Sequence, residues 1–199
     1  RQMCIRDRFT ILMPDPDLRN KVNDVVLAET LSARPTVLAF AASTQATELG
    51  PHVGTAQIGG DPTKWTINYP GILRQTMILS ASAEGKGMVN SRSELDGVVR
   101  RVPLVVGSED EVYPSFALEM LRLGTGDISY QIKTGEYGVE WVRVPAYNKM
   151  NTDANGNIWL NTNIKFYRQT ASEFMMNPMQ APFVTVSYTH LTLPTSHNV

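Results

Sequence analysis

Asp96, Arg100 and Arg101 lie within six positions of one another and form the constellation best suited to holding an anion or building an ion pair. Guanidinium groups present planar N–H donors that match carboxylate or phosphate oxygens. Neighbouring side chains on a strand point to opposite faces, so Arg100 and Arg101 diverge and only one of them can pair with Asp96 or face a pocket. A structural Asp–Arg pair is the preferred reading, with an anionic-ligand site as the alternative. His52 lies in a stretch rich in glycine and proline. It reads as an exposed loop histidine, with ligand contact as the alternative. Asn151, Asp153, Asn155 and Asn157 set side-chain oxygens at alternate positions, with Gly156 sixth and Ile158 eighth, like the first part of a calcium-binding EF-hand loop. The twelfth position is Thr162 where a bidentate carboxylate is needed, and strands rather than helices are expected on either side, so a hairpin turn is preferred to calcium.

Catalytic patterns are missing. There is no nucleophile elbow, no glycine-rich cofactor loop and no pair of carboxylates at helical spacing. Gly85-Lys86-Gly87 follows a predicted helix and precedes a strand, the reverse of a phosphate-binding loop. The sequence therefore predicts no enzyme activity and no cofactor.

The chain has 199 residues, enough for a single domain with a sizeable core. Its first eight residues, RQMCIRDR, and residues 185–199 have the look of translated adapter sequence and are expected to be non-native, leaving 9–184 as the domain. With them go Cys4, His190 and His197, so no cysteine remains, and His52 is the one histidine left for zinc or acid–base work. Without Arg1, Arg6, Arg8 and Asp7 there are 15 basic and 18 acidic residues, a net charge of −3. No basic cluster interleaved with aromatics appears, so nucleic acid is not an expected partner. The longest apolar run, Val37 to Ala42, is far shorter than the roughly 18 residues of a membrane-spanning helix.

Several elements position these residues. Asp17 is a predicted N-cap for a helix carrying Leu18, Val22, Val25 and Val26 on one face and ending near Ser32. Thr36 to Ala42 predicts a strand buried on both faces. Residues 43–71 read as a long irregular excursion, in which Trp65, Ile67 and Tyr69 could form one short strand. Leu73, Met77 and Ala81 predict a helix over 72–83. Met88 and Val89 form a short strand, Ser91 to Gly97 a turn, and Val98 to Val106 a second strand, with Pro103 at an edge or bulge. After the acidic run Glu109, Asp110 and Glu111, read as a solvated loop, a helix starts at Tyr113-Pro114-Ser115. Its expected buried stripe is Ala117, Leu118, Met120 and Leu121, with Glu119 and Arg122 facing water and Gly124 as the stop. Ile128 to Ile132 and Val139 to Val144 predict a hairpin, and Asn155-Gly156 a further hairpin leading into a strand over Ile158 to Phe166. A short helix over 170–176 would follow.

The order DGVVRRVPL, a short acidic loop, then YPSFALEMLRLG resembles the CHASE type 2 sensory domain, with weaker similarity from about residue 17 to about residue 175. It departs at LNTNIKFY, residues 160–167, which lacks the glycine expected there. The resemblance implies an α/β fold, a mixed sheet flanked by helices, in a single domain truncated at both ends. It further implies an extracytoplasmic input domain of a bacterial signalling protein, sensing a small molecule or an environmental stress. The domain would face the periplasm or cell exterior, be anchored by flanking membrane helices outside this chain, and pass signals to a cyclase or kinase; a homodimer is a candidate assembly. A soluble α/β enzyme using Asp96, Arg100 and the 43–71 loop, and a passive binding or scaffold domain, are the competing readings.

Overall fold

The continuous apolar run from Val37 to Ala42 can be covered on both faces only in the interior of a sheet, and the computed structural model puts it there. The structure describes residues 7–9, 11–20, 22–45 and 54–161. In chain order the elements are Asp7–Phe9 (β1), Val22–Ser32 (α1), Thr36–Ser43 (β2), Thr55–Gly59 (β3), a 3-10 turn at Pro62–Lys64, Gly71–Leu73 (β4), Met77–Ser82 (α2), Gly85–Met88 (β5), Arg101–Pro103 (β6), Val105–Ser108 (β7), Glu111–Pro114 (β8), Phe116–Thr125 (α3), Tyr130–Gly135 (β9), Gly138–Arg143 (β10), Met150–Asn151 (β11) and Asn157–Trp159 (β12).

This is the expected α/β fold, with two mixed sheets rather than one. In the first, β2 pairs in parallel with β1 and β5 and antiparallel with β4. In the second, the order is β11-β10-β9-β3, antiparallel except for the parallel β9–β3 pair. Two short antiparallel pairs, β6–β12 and β7–β8, complete the strands. The largest core cluster packs Leu104, Val105 and Leu118 against Tyr130, Ile132, Val142 and Val144.

Helix positions depart from expectation, each for a physical reason. In α1 the valine face is exposed, Val22 at 60% and Val26 at 54%, while the stripe Asp24, Leu27, Ala28 and Leu31 turns inward, so that Ala28 and Leu31 pack with Leu38 and Leu79. Asp17 is not the cap. Its carboxylate accepts from the amides of Arg19 and Asn20, and Asn20 Oδ1 accepts from Val22 N at the helix start. The helix predicted over 72–83 is a strand at Gly71–Leu73 followed by α2, with Leu79 buried and Met77 exposed. Among the described residues of 43–71 are the end of β2, all of β3 and the start of β4, while Trp65 to Tyr69 contributes one bridge, Asn68 to Gly107.

The strand expected from Val98 to Val106 is divided. Pro103 ends β6 and Leu104 separates it from β7, as a residue without a ladder donor favours. Glu109 and Asp110 of the acidic run make a tight turn between β7 and β8, with Glu109 at φ 52, and Glu111 opens β8. The strand at Met88 and Val89 is displaced to Gly85–Met88. The Asn155-Gly156 turn joins no hairpin, because β11 pairs with β10 whereas β12 pairs with β6. The β9–β10 hairpin is as expected. His52, residues 162–166 of the predicted strand and the helix predicted over 170–176 lie outside the described residues.

Most consequential is α3. Ser115 caps it, accepting from Leu118 N, but it runs through Gly124 and stops at Gly126, whose φ of 77 suits glycine. Its buried residues are Leu118, Glu119, Arg122 and Leu123, so Glu119 and Arg122 face inward, not into water, and Ala117 is the exposed one. Arg122 donates from Nε to Glu119 Oε2 and from Nη2 to Glu119 Oε1, both at 2.8 Å, and from Nη1 to Asp127 O at 2.7 Å. Glu119 Oε1 also accepts from Lys86 N at 3.3 Å. Two charges can be buried together because each has the other, and backbone adds one further hydrogen bond to each, Lys86 N to Glu119 and Asp127 O to Arg122. The bond to Glu119 holds the Arg122 pKa above its ordinary value.

Removing one partner leaves an uncompensated buried charge, at a cost of about 3–5 kcal/mol. Glu119→Ala should therefore destabilise the domain by about that amount in urea unfolding, whereas Glu119→Leu with Arg122→Met should recover most of the loss. Equal stability of the single variant and the wild type would refute the role given to the pair.

Candidate functional site

The loop between β5 and β6 would be loose on its own, being polar and short of apolar anchors. It is closed by its own hydrogen bonds. Glu94 N donates to Val98 O and Gly97 N to Glu94 O, with Gly97 at φ 79. Asp96 Oδ1 accepts from Val98 N at 3.1 Å and from Arg100 Nη1 at 2.9 Å, and Asp96 Oδ2 accepts from Arg100 Nη2 at 2.6 Å. This bidentate pair is about half exposed at both ends, 46% and 51%, so it is a surface pair, not a buried one.

Arg101 points elsewhere, as alternation requires. Its Nε and Nη2 donate to Glu94 Oε1 and Oε2 at 2.8 and 3.1 Å, and its Nη1 to Asp153 Oδ2 at 3.0 Å. The guanidinium carbon stands 5.3 Å from the ring centre of Trp159, the residue directly across the β6–β12 pair. Leu160 N donates to Arg100 O beside it. One half-exposed cation thus joins the 91–100 loop, β6, the turn at Asp153 and β12.

Asp153 is the centre of that turn. Its Oδ1 accepts from Asn155 N, Asn157 N and Asn157 Nδ2, and its Oδ2 from Asn157 Nδ2 and Arg101. Asn155 Nδ2 donates to Trp65 O at 2.6 Å. The carboxylate that calcium would need is filled by protein donors, and the amides of Asn155 and Asn157 are turned to donate. Asn151 lies in β11, paired opposite Trp141. Among the described residues there is no group of three His, Cys, Asp or Glu side chains able to hold a metal ion.

Electrostatics favour the charged forms throughout. The Arg101 hydrogen bond lowers the Glu94 pKa, and the Arg100 hydrogen bond lowers that of Asp96. Burial pushes Asp153 up, but hydrogen bonds from the Asn157 side chain and backbone, then Asn155 and Arg101, bring the net shift downward. Arg100 and Arg101 are raised, chiefly by Asp96 and Glu94 respectively. The structure therefore brings Asp96, Arg100 and Arg101 together as two separate ion-paired units. Glu94 and Trp159 join this constellation from outside the sequence motif, and Asp153 is an ion-pair partner rather than a calcium ligand. Asp153 lies 52 residues from Arg101, so only the three-dimensional pairing reveals the link. A separate open cleft of about 380 Å³ between the C-terminal ends of α1 and α2 is lined by Ser32 to Pro35 and Ala81 to Glu84. It holds none of these residues.

The family model for the CHASE2 domain matches residues 8–193, a span that takes in part of the C-terminal stretch set apart above. The chain belongs to the CHASE2 domain family. CHASE2 domains are extracellular sensory domains of signalling proteins with cyclase or kinase outputs. Neither the curated proteins nor the solved structures give a match. No helix among the described residues is long and apolar enough to cross a membrane.

In this CHASE2 domain the depressed carboxylates give the clamp an acid limit. A group with a lowered folded pKa contributes stability above its unfolded value and loses it as pH falls through the folded value. Amide protection of residues 94–98 should be complete above the ordinary carboxylate range of about 4 and fade below it. Arg101→Gln should weaken that protection at neutral pH. Hydrogen exchange read by mass spectrometry checks both, and protection unchanged in the variant would remove Arg101 as the tie.

Proposed function

We propose that this domain is the signal-input module of a membrane-bound bacterial signalling protein, facing the periplasm or exterior and coupled through flanking helices to a cyclase or kinase output. The observation that carries this reading is the family match over residues 8–193. The Arg101 clamp supports a way of responding. A sensor needs two arrangements of similar free energy and a ligand that prefers one. Half-exposed ion pairs contribute little net stability because water competes for both charges. An anionic ligand that takes the place of Glu94 or Asp153 on the Arg101 guanidinium would release the 91–100 loop from the Asp153 turn, and Asp96 with Arg100 moves with that loop. The ligand is thus a small anion and the responding element the 91–100 loop. His52 is a further proposed ligand contact, and a homodimer the proposed assembly.

Sequencing the parent gene beyond both ends tests the placement. Apolar segments of about 20 residues flanking the domain, followed by a cyclase or kinase, are expected. An open reading frame without them would sink the sensor reading.

A further inference from the structure

The outer face of the β11-β10-β9-β3 sheet has a character unlike the rest of the molecule. Tyr130, Ile132, Thr134 and Val142 turn inward and are buried, while Gln131, Lys133, Trp141 and Arg143 lie half-buried on the opposite face, with Glu140 exposed beside them. The β3–β9 register places Ala56 beside Gln131 and exposed Ile58 beside Lys133. Trp141 sits opposite Lys133 on one side and Asn151 on the other. Two cations converge on its ring, Lys149 Nζ at 4.7 Å from the centroid and Arg143 Cζ at 5.8 Å.

Arg100, Arg101 and Arg122 each have a carboxylate partner. Lys133, Arg143 and Lys149 have none among the described residues. Arg143 instead gives Nε and Nη2 to the neutral Gln131 Oε1, at 3.0 and 2.7 Å. The one acid in the middle of β10, Glu140, lies over Gly135 towards the hairpin end. In a chain with a net charge of −1, a sheet face with three such cations around an indole is complementary to negative charge.

We infer that this face docks on an anionic phospholipid surface. Three features favour that occupant over a small anion or an acidic protein segment. A sheet face offers no concavity in which donors converge on a small molecule. The Arg143 fork that would grip a carboxylate bidentately is already taken by Gln131, leaving point charges, which attract a headgroup layer without demanding fixed geometry. The indole and Ile58 supply apolar surface beside the cations, and an aromatic ring flanked by basic side chains is a combination suited to a membrane interface.

The test uses the full 199-residue chain and co-sedimentation with vesicles of phosphatidylcholine alone or with roughly one third phosphatidylglycerol. Binding is expected on the anionic vesicles alone and is lost at high salt. Each of Lys133→Gln, Arg143→Gln and Lys149→Gln should weaken it about fivefold, with circular dichroism confirming the fold. Arg92→Gln, at an exposed loop cation, should leave it unchanged. A blue shift of tryptophan emission on the vesicles should disappear in Trp141→Phe. Absence of binding to anionic vesicles, an equal loss with Arg92→Gln, or preferential capture of soluble polyphosphate or poly-glutamate would overturn the inference. Vesicle binding is read on the chain alone, so a parent gene without membrane segments leaves this result standing and the two failures separable.

Discussion

The buried ion pair between Glu119 and Arg122 is the constraint on which the arrangement of α3 and its strands depends. A helix that carries two opposite charges inward must approach its sheet closely enough for backbone groups to complete their hydrogen bonds. Here the backbone of β5 does so through Lys86 N. Such an approach leaves no room for side chains beneath. A Cβ on Gly85 would stand 2.8 Å from Glu119 Oε1, and one on Gly87 would stand 2.4 Å from the Phe116 Cα. The two glycines that resemble a fragment of a phosphate loop are thus spacers for a helix. With α3 fixed, Leu118 enters the core cluster that includes Tyr130, whose hydroxyl donates to Val112 O at 3.1 Å. Burial holds that phenol's pKa well above its ordinary value, so it remains neutral.

Arginine serves two different ends in this fold, and exposure separates them. Arg122 is enclosed, and its loss would leave a charge with nowhere to go. Arg101 stands at the surface with 37% of its side chain exposed, so water and solutes can compete for it. The same guanidinium chemistry is buried architecture in one place and a surface tie in the other.

Legibility from the sequence followed the range of the forces involved. The buried strand β2, the β9–β10 hairpin, the Ser115 cap and the motif order that identifies the CHASE2 family are local patterns, and the chain displays them openly. Hydrophobicity alone does not orient the faces of α1 and α3. In α1 small Ala28 packs where larger valines do not, and in α3 an i,i+3 Glu–Arg pair satisfies itself indoors. A glycine at alternate positions of β5 was the available sign of close helix approach. Within the candidate site, the divergence of Arg100 and Arg101 was readable from strand alternation. The Asp153 partner was not, since nothing local records a contact between residues 101 and 153, and the Glu94 partner depends on how the 91–100 loop folds back.

The pairing of β6 with β12 alone has a consequence for how the chain acquires its shape. Pro103 pairs with Asn157 and Arg101 with Trp159, so β6 emerges during synthesis more than 50 residues before its partner exists. Likewise β3 waits for β9, from Thr55 to Tyr130. Contacts so distant in sequence bring a large loop-closure entropy before any stabilisation returns, and such topologies fold slowly. The β6 edge stays without its ladder partner until Trp159 has been made, so this part of the domain waits for the chain to pass residue 159.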